Sequence, residues 1–148
     1  MTQAPDPQAL LCFNLYAASH AFTRFYQPIL EPLGLTYPQY LVLLALSRDD
    51  GRGVGALGEE LMLDTNTLSP LLKRMEALGL VSRTRMAEDE RRVMVQLTDS
   101  GKALAIRAAA IPECIAACLD LPGEEIAGVT QILHRLRDVL RQTPPPSV

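Results

Sequence analysis

The segment from Val54 to Leu97 constrains the fold of this chain more than any other. Val54–Leu61 (VGALGEEL) and Thr65–Leu78 each carry apolar residues at helical spacing. Asp64 stands where an N-cap belongs, and Gly79 where a helix ends most easily in left-handed backbone. Two short helices joined by a tight turn form a helix-turn-helix candidate. Leu80–Arg85 and Arg92–Leu97 follow at once, with period-two or β-branched character around the polar tip Ala87-Glu88-Asp89-Glu90. A charged hairpin placed directly after a helix-turn-helix is the order of a winged helix, which predicts a mainly α fold with a small β-hairpin wing.

Upstream, Asp6-Pro7 reads as an N-cap with proline at the first helical position. It opens a long first helix in which Leu10, Leu11, Leu15, Ala18, Phe22 and Phe25 recur at helical spacing until Pro28–Gly34. Thr36-Tyr37-Pro38-Gln39 fits a capping box and opens the apolar run YLVLLAL, a central buried helix that stops at Asp49-Asp50-Gly51. After Thr98-Asp99-Ser100-Gly101, an alanine-rich helix is expected to reach about Leu119 with a bend at Pro112. A last helix starts near Pro122, with Glu124 and Glu125 in its first turn and Arg135, Arg137 and Arg141 toward its end, the order a helix dipole favours. The expected organisation is one domain, 1–148. Its DNA-binding part covers about 36–97, between helices at about 7–34 and 99–142, with a disordered tail at 143–148. Long terminal helices on so small a domain need a second copy to cover their apolar faces, which predicts a homodimer.

With 48% hydrophobic residues among 148, the chain has ample material for a core. No run of eighteen apolar residues is present, and MTQAPDPQAL lacks the basic start and apolar middle of a signal peptide, so a cytoplasmic protein with no membrane partner is expected. The net charge of −3 disfavours DNA on average. That average hides an asymmetry: Met1–Asp64 holds three basic and seven acidic residues, Thr65–Arg92 six and four, and Val93–Val148 five and six. The net positive block coincides with the second helix of the helix-turn-helix and the hairpin.

A helix that reads DNA needs short polar side chains at its start and cations along its flank. Asp64-Thr65-Asn66-Thr67-Leu68-Ser69-Pro70 followed by Lys73-Arg74 supplies both. Asn66 suits adenine, Thr67 and Ser69 suit bases or phosphate, and Leu68, Leu71, Leu72 and Met75 fall on the buried side. Arg91 and Arg92 at the hairpin offer cations to a minor groove or backbone, with Asp89 placed to orient Arg91. Charge clusters alone are usually solvated faces; here the order of elements around them argues for an interface.

Three cysteines in a cytoplasmic setting argue against a disulfide framework. Cys12 and Tyr16 are four apart on the first helix and share a face, and Tyr26 lies close to four full turns beyond Cys12. Tyr37 opens the next helix. Phenols donating to sulfur favour the thiolate, the form that attacks peroxide. Taken alone, a cysteine among Leu10, Leu11, Phe13 and Leu15 is more often a small buried hydrophobe than a sensor. Cys114 and Cys118 are four apart on the fifth helix, where two apolar thiols in a packed alanine-rich helix are the plain alternative.

GLTYPQYLVLLAL, LDTNTLSPLLKRMEALGLV and DERRVMVQLTDSGKAL resemble the corresponding stretches of the MarR family of winged-helix repressors over nearly the whole chain. LCFNLYAAS and LTYPQY are similar to the organic hydroperoxide resistance repressors (OhrR) within it. The resemblance implies an intertwined homodimer on a pseudo-palindromic operator, with recognition helices in successive major grooves and wings on the neighbouring minor grooves. It assigns DNA contacts to Thr65, Asn66, Thr67, Ser69, Lys73, Arg74, Asp89 and Arg91. It also implies that organic hydroperoxide is the inducer, that Cys12 is the oxidised residue, and that the partner's tyrosines matching Tyr26 and Tyr37 bond to it. Two-cysteine members resolve the sulfenic acid by an intersubunit disulfide. Their partner position falls at Ala117, one place before Cys118, which ranks Cys118 ahead of Cys114.

Two other functions fit parts of the sequence: a repressor of the same fold released by a small phenolic or aromatic ligand, and a thiol peroxidase. No activating base or cation sits beside Cys12 for peroxidase turnover. His20 and His134 are far apart, and Cys114 and Cys118 have no evident further ligands, so neither metal nor cofactor is expected. Glu59 and Glu60 are adjacent rather than stacked, which disfavours an acid–base pair and enzymatic activity.

Overall fold

A computed structural model describes residues 5–146, the side chains of Glu90 and Arg91 excepted. The elements in order are α1 (Leu11–Leu30), α2 (Tyr37–Arg48), β1 (Arg52–Gly53), α3 (Val54–Leu61), α4 (Thr65–Ala77), β2 (Val81–Met86), β3 (Asp89–Leu97), α5 (Asp99–Ala108), α6 (Ile111–Leu119) and α7 (Gly123–Gln142). The chain divides after Ala109 into two compact units. Among the described residues no single helix is long and apolar enough to cross a membrane.

The first helix starts later than Asp6-Pro7 suggests. The Asp6 carboxylate accepts from Gln8 N at 3.0 Å, but it caps only a 3-10 turn, Pro7–Ala9. Leu10 then goes extended (φ −85°, ψ 131°), so α1 begins at Leu11. Its end follows expectation: a second 3-10 turn, Glu31–Leu33, leads to left-handed Gly34. Gln39 Oε1 accepts from Thr36 N at 2.9 Å, and the capping box sets α2 in place.

Helix α2 is the centre of the first unit. Tyr40, Val42, Leu43, Ala45 and Leu46 are buried, as the unbroken run YLVLLAL requires. Around it pack Leu57 of α3, Leu68, Leu72 and Met75 of α4, and Val81 and Val95 of the sheet. The sheet has a third strand that the sequence conceals: β1 pairs antiparallel with β3, Arg52 opposite Val95 and Gly53 opposite Met94, giving the order β1-β3-β2. The β2–β3 hairpin is tighter than its polar tip suggests. Pairing continues past an irregularity at Arg85/Met86 to Met86 opposite Asp89, leaving Ala87 and Glu88 as the turn.

Side chains lock the junctions. Thr98 caps α5 by accepting from Gly101 N (3.0 Å) and donates to the Gly79 carbonyl (2.6 Å). Gly101 is obligatory there, because a Cβ would collide with the Leu80 carbonyl oxygen. Asp50, just past α2, accepts from Gly51 N and Leu97 N, both at 2.9 Å. Asp64 sits at the N-cap of α4 but caps through its carbonyl, which accepts from Thr67 N and Leu68 N, and not through its side chain.

The alanine-rich stretch is two helices, not one bent helix. The break falls at Ala109-Ala110, and Pro112 sits in the first turn of α6, where its missing N–H costs nothing. In the second unit Ile111 and Ile115 of α6 are buried, whereas α7 buries no residue. Residues 143–146 follow as exposed coil; 147–148 of the expected tail lie outside the described residues.

Candidate nucleic-acid interface and thiol site

The rotation of α4 is set by its apolar face. Leu68, Leu72 and Met75 are fully buried and Leu71 nearly so, which turns Thr65, Asn66, Thr67, Lys73 and Arg74 to solvent and leaves Ser69 half-buried. A cleft of about 670 Å³ opens between this helix and the hairpin, with Thr65, Ser69, Arg83 and Arg92 among its lining. Arg92 and Asp89 are exposed on β3; the Arg91 side chain lies outside the described residues.

Ion pairs made by Arg83 and Arg52 brace the elements around these surfaces, and neither arginine stood out in the sequence. Glu76 at the end of α4 grips Arg83 of β2: its oxygens accept from Arg83 N (3.1 Å), Nε (2.9 Å) and Nη2 (2.7 Å). Those bonds hold the Glu76 carboxyl below the usual carboxylate range. Opposite charges seven apart across the Gly79 turn were the available signal. Arg52 of β1 pairs with Glu60 of α3 and with Asp49, and the bond to Glu60 raises the guanidinium further.

The thiol site has two ends. With α1 starting at Leu11, Cys12 is the second residue of the helix, not one beyond its first turn. Cys12 is exposed, as are Leu11, Phe13 and Tyr16 around it, and Tyr16 packs its ring on His20 at 4.2 Å between centroids. Tyr26 and Tyr37 meet edge to face at 4.9 Å, and Tyr40, which sequence spacing did not single out, joins them at 5.9 and 6.2 Å. Burial pushes all three phenols above their ordinary value, Tyr40 to about 12, so each stays protonated and able to donate near neutral pH. Beside Tyr37 lies a mostly apolar cavity of about 480 Å³, lined also by Thr23, Gln27, Leu30 and Leu35.

Fourteen residues of continuous α-helix separate Cys12 from Tyr26, about 21 Å at 1.5 Å per residue. Within one chain the structure therefore does not bring the thiol to the phenols. In the second unit Cys114 and Cys118 are both exposed on α6. Among the described residues no three His, Cys, Asp or Glu side chains gather in a way that could hold a metal ion.

The family model described as transcriptional regulator SarA/Rot matches residues 24–106. The organic hydroperoxide resistance transcriptional regulator of Bacillus subtilis (strain 168) is 44% identical over 132 residues, covering 89% of this chain and 90% of its own. The chain belongs to the MarR family of winged-helix transcriptional regulators. A further relative of this MarR-family chain, the HTH-type regulator TtmR of Methylorubrum extorquens (strain PA1), is 44% identical over 142 residues, covering 94% of this chain and 73% of its own. Among solved structures, reduced AbfR bound to DNA superposes with a TM-score of 0.78 at 36% identity, covering 89% of this chain and 90% of its own. The winged-helix reading of the MarR-family fold is thereby borne out.

Proposed function

We propose that this MarR-family regulator is a homodimeric, operator-binding repressor that organic hydroperoxides inactivate by oxidising Cys12. The observation that carries the reading is the placement of an exposed thiol at one end of α1 and a cluster of phenols at its other end, on α1 and the start of α2. A two-fold interface pairs residue i of one chain with residue j of the other and the reverse. Two copies of α1 lying antiparallel across such an axis set each Cys12 against the partner's Tyr26 and Tyr37. The exposed apolar residues Leu11, Phe13, Phe22 and Phe25 on α1, and Val129, Ile132, Leu133, Val139 and Leu140 on α7, are the surface such a dimer covers. AbfR has been solved on DNA in reduced and overoxidised forms and also with a disulfide formed, which supports a redox regulator of this architecture.

In the proposed step the Cys12 thiolate attacks the outer oxygen of the hydroperoxide. An S–O bond forms and the O–O bond breaks; sulfur is oxidised by two electrons to the sulfenic acid, and the leaving alkoxide takes a proton to become an alcohol. A second thiol, Cys118 ahead of Cys114, then displaces water to form a disulfide. The apolar cavity beside Tyr37 favours organic over hydrogen peroxide. Moving operator occupancy from about 99:1 to 1:99 takes roughly 5.5 kcal/mol of preference between the two dimer states. Thr65, Asn66, Thr67, Ser69, Lys73 and Arg74 read and hold the major groove, and Asp89, Arg91 and Arg92 hold the flank, in the cytoplasm where the operator lies.

The same cavity is of a size that takes a small aromatic ligand, which keeps ligand-induced release as a second reading. One gel-shift series separates the two. Wild type leaves its upstream DNA on treatment with cumene hydroperoxide, whereas Cys12→Ser stays bound; peroxide release of Cys12→Ser overturns the oxidation reading. Non-reducing mass spectrometry of the treated dimer identifies the resolving thiol.

A further inference from the structure

Among the described residues, one buried side-chain polar atom has no hydrogen-bond partner: the hydroxyl of Tyr40. The residue is 2% exposed, so bulk solvent does not reach it. A phenylalanine would fill the same space in the apolar run of α2 without stranding a donor, and buried polar groups without partners are rare enough to require a reason. Its ring is tilted against Tyr26 and Tyr37, at 5.9 and 6.2 Å, with Tyr26 the nearer. Burial first, and then the neighbouring Tyr26 and Tyr37, push the Tyr40 phenol up, and the three rings form one cluster.

A phenol both donates and accepts. When Tyr26 commits its proton to a thiolate, its oxygen gains negative character and keeps two lone pairs to fill. Tyr40, whose ring lies against that of Tyr26, offers a buried donor with no partner of its own among the described residues. We propose that Tyr40 is a positioning residue of the thiol site, donating to the Tyr26 oxygen when Tyr26 donates to the partner chain's Cys12, so that the two phenols act as a relay. Bonds in such a chain polarise one another, and the terminal donor grips the thiolate more strongly than one phenol alone. This role rests on the proposed function, since it presumes that Cys12 is the reacting thiol.

The experiment follows Cys12 oxidation by cumene hydroperoxide in the full-length protein, by mass spectrometry of quenched samples. Wild type, Tyr40→Phe, Tyr26→Phe and the double variant are compared, with melting curves of each. The relay requires Tyr40→Phe to react roughly three- to tenfold more slowly, the range one net hydrogen bond supplies. It further requires the double variant to react no more slowly than Tyr26→Phe, because Tyr40 acts only through Tyr26. Tyr40→Phe should melt at the wild-type temperature or above. An unchanged oxidation rate in Tyr40→Phe, additive losses in the double variant, or a lowered melting temperature, which would mean the hydroxyl is already bonded within the fold, each overturns the relay while leaving the proposed function standing. Unreacted Cys12 in wild type sinks the proposed function and the relay with it.

Discussion

Replacing Asp50 by alanine tests whether the end of α2 is fastened to the base of the wing. The Asp50 carboxylate does three things: it accepts from the exposed Gly51 N–H and from Leu97 N, both at 2.9 Å, and it lies 3.9 Å from the Lys102 ammonium. The contributions are unequal. The Lys102 pair is long and solvent-exposed and contributes at most a few tenths of a kcal/mol. Water replaces the carboxylate readily at Gly51. Leu97 is 7% exposed, and stranding its N–H costs about 1–3 kcal/mol. The total is about 2 kcal/mol, or a melting temperature lower by roughly 4–8 °C for a chain of this size. Urea and thermal unfolding at one fixed protein concentration measure it, since self-association makes apparent stability depend on concentration. Asp50→Asn keeps an acceptor and should recover most of the loss. Asp49→Ala, whose side chain is 77% exposed and pairs only at 3.7 Å with Arg52, should stay within about 0.5 kcal/mol of wild type. An Asp50→Ala protein as stable as Asp49→Ala refutes the assignment.

Glu76→Gln should unclamp β2 from α4. Because the folded carboxyl titrates below its ordinary 4.5, the clamp's contribution is present above that pH and fades as acid takes the folded group through its own titration. Wild type should therefore be more stable than Glu76→Gln at neutral pH, with the gap closing in acid; a gap unchanged between neutral and acid contradicts this. Gly101→Ala drives a Cβ into the Leu80 carbonyl and should destabilise by about 1–3 kcal/mol in urea titrations, whereas Gly55→Ala, with nothing within 4 Å, should be neutral or stabilising. In gel shifts Lys73→Ala should weaken binding to all sequences alike and lower the salt slope by about one, while Asn66→Ala should lose roughly 1–3 kcal/mol of preference at one base pair only.

Much of this architecture is written in local chemistry. The capping box of Thr36 and Gln39, the glycine after α4 and the alternation of β2 and β3 act over a few residues, so spacing alone reveals them. What escaped was decided at longer range or by one backbone residue. Strand β1 is two residues long and exists because β3 has a free edge beside it. Extended Leu10 moves the start of α1 by four residues, and with it Cys12 into the first turn. Pro112 is consistent with either a bend or a new start, and the flanking alanines do not distinguish them. Arg83 is one of several cations in the basic block, and only the fold shows its clamp on Glu76. Tyr40 sat unnoticed in an apolar run, because only the fold shows that its hydroxyl is stranded beside two other phenols.

These details give α2 a particular place between stimulus and response. Its first turns carry Tyr37 and Tyr40, the side that meets the reacting sulfur in the proposed dimer. Its far end, eleven residues on and about 17 Å away, leads through Asp49 into Asp50, whose carboxylate holds the wing strand at Leu97. The helix between is the most deeply buried element of its unit, and a close-packed helix shifts as a body sooner than it deforms. A change in hydrogen bonding at the phenols therefore has a stiff route along α2 to the short Asp49–Gly51 turn, where Asp50 fastens the hairpin within one chain. A two-state dimer requires such an element, because a few kcal/mol released at a sulfur affects the operator only if what lies between does not absorb the shift.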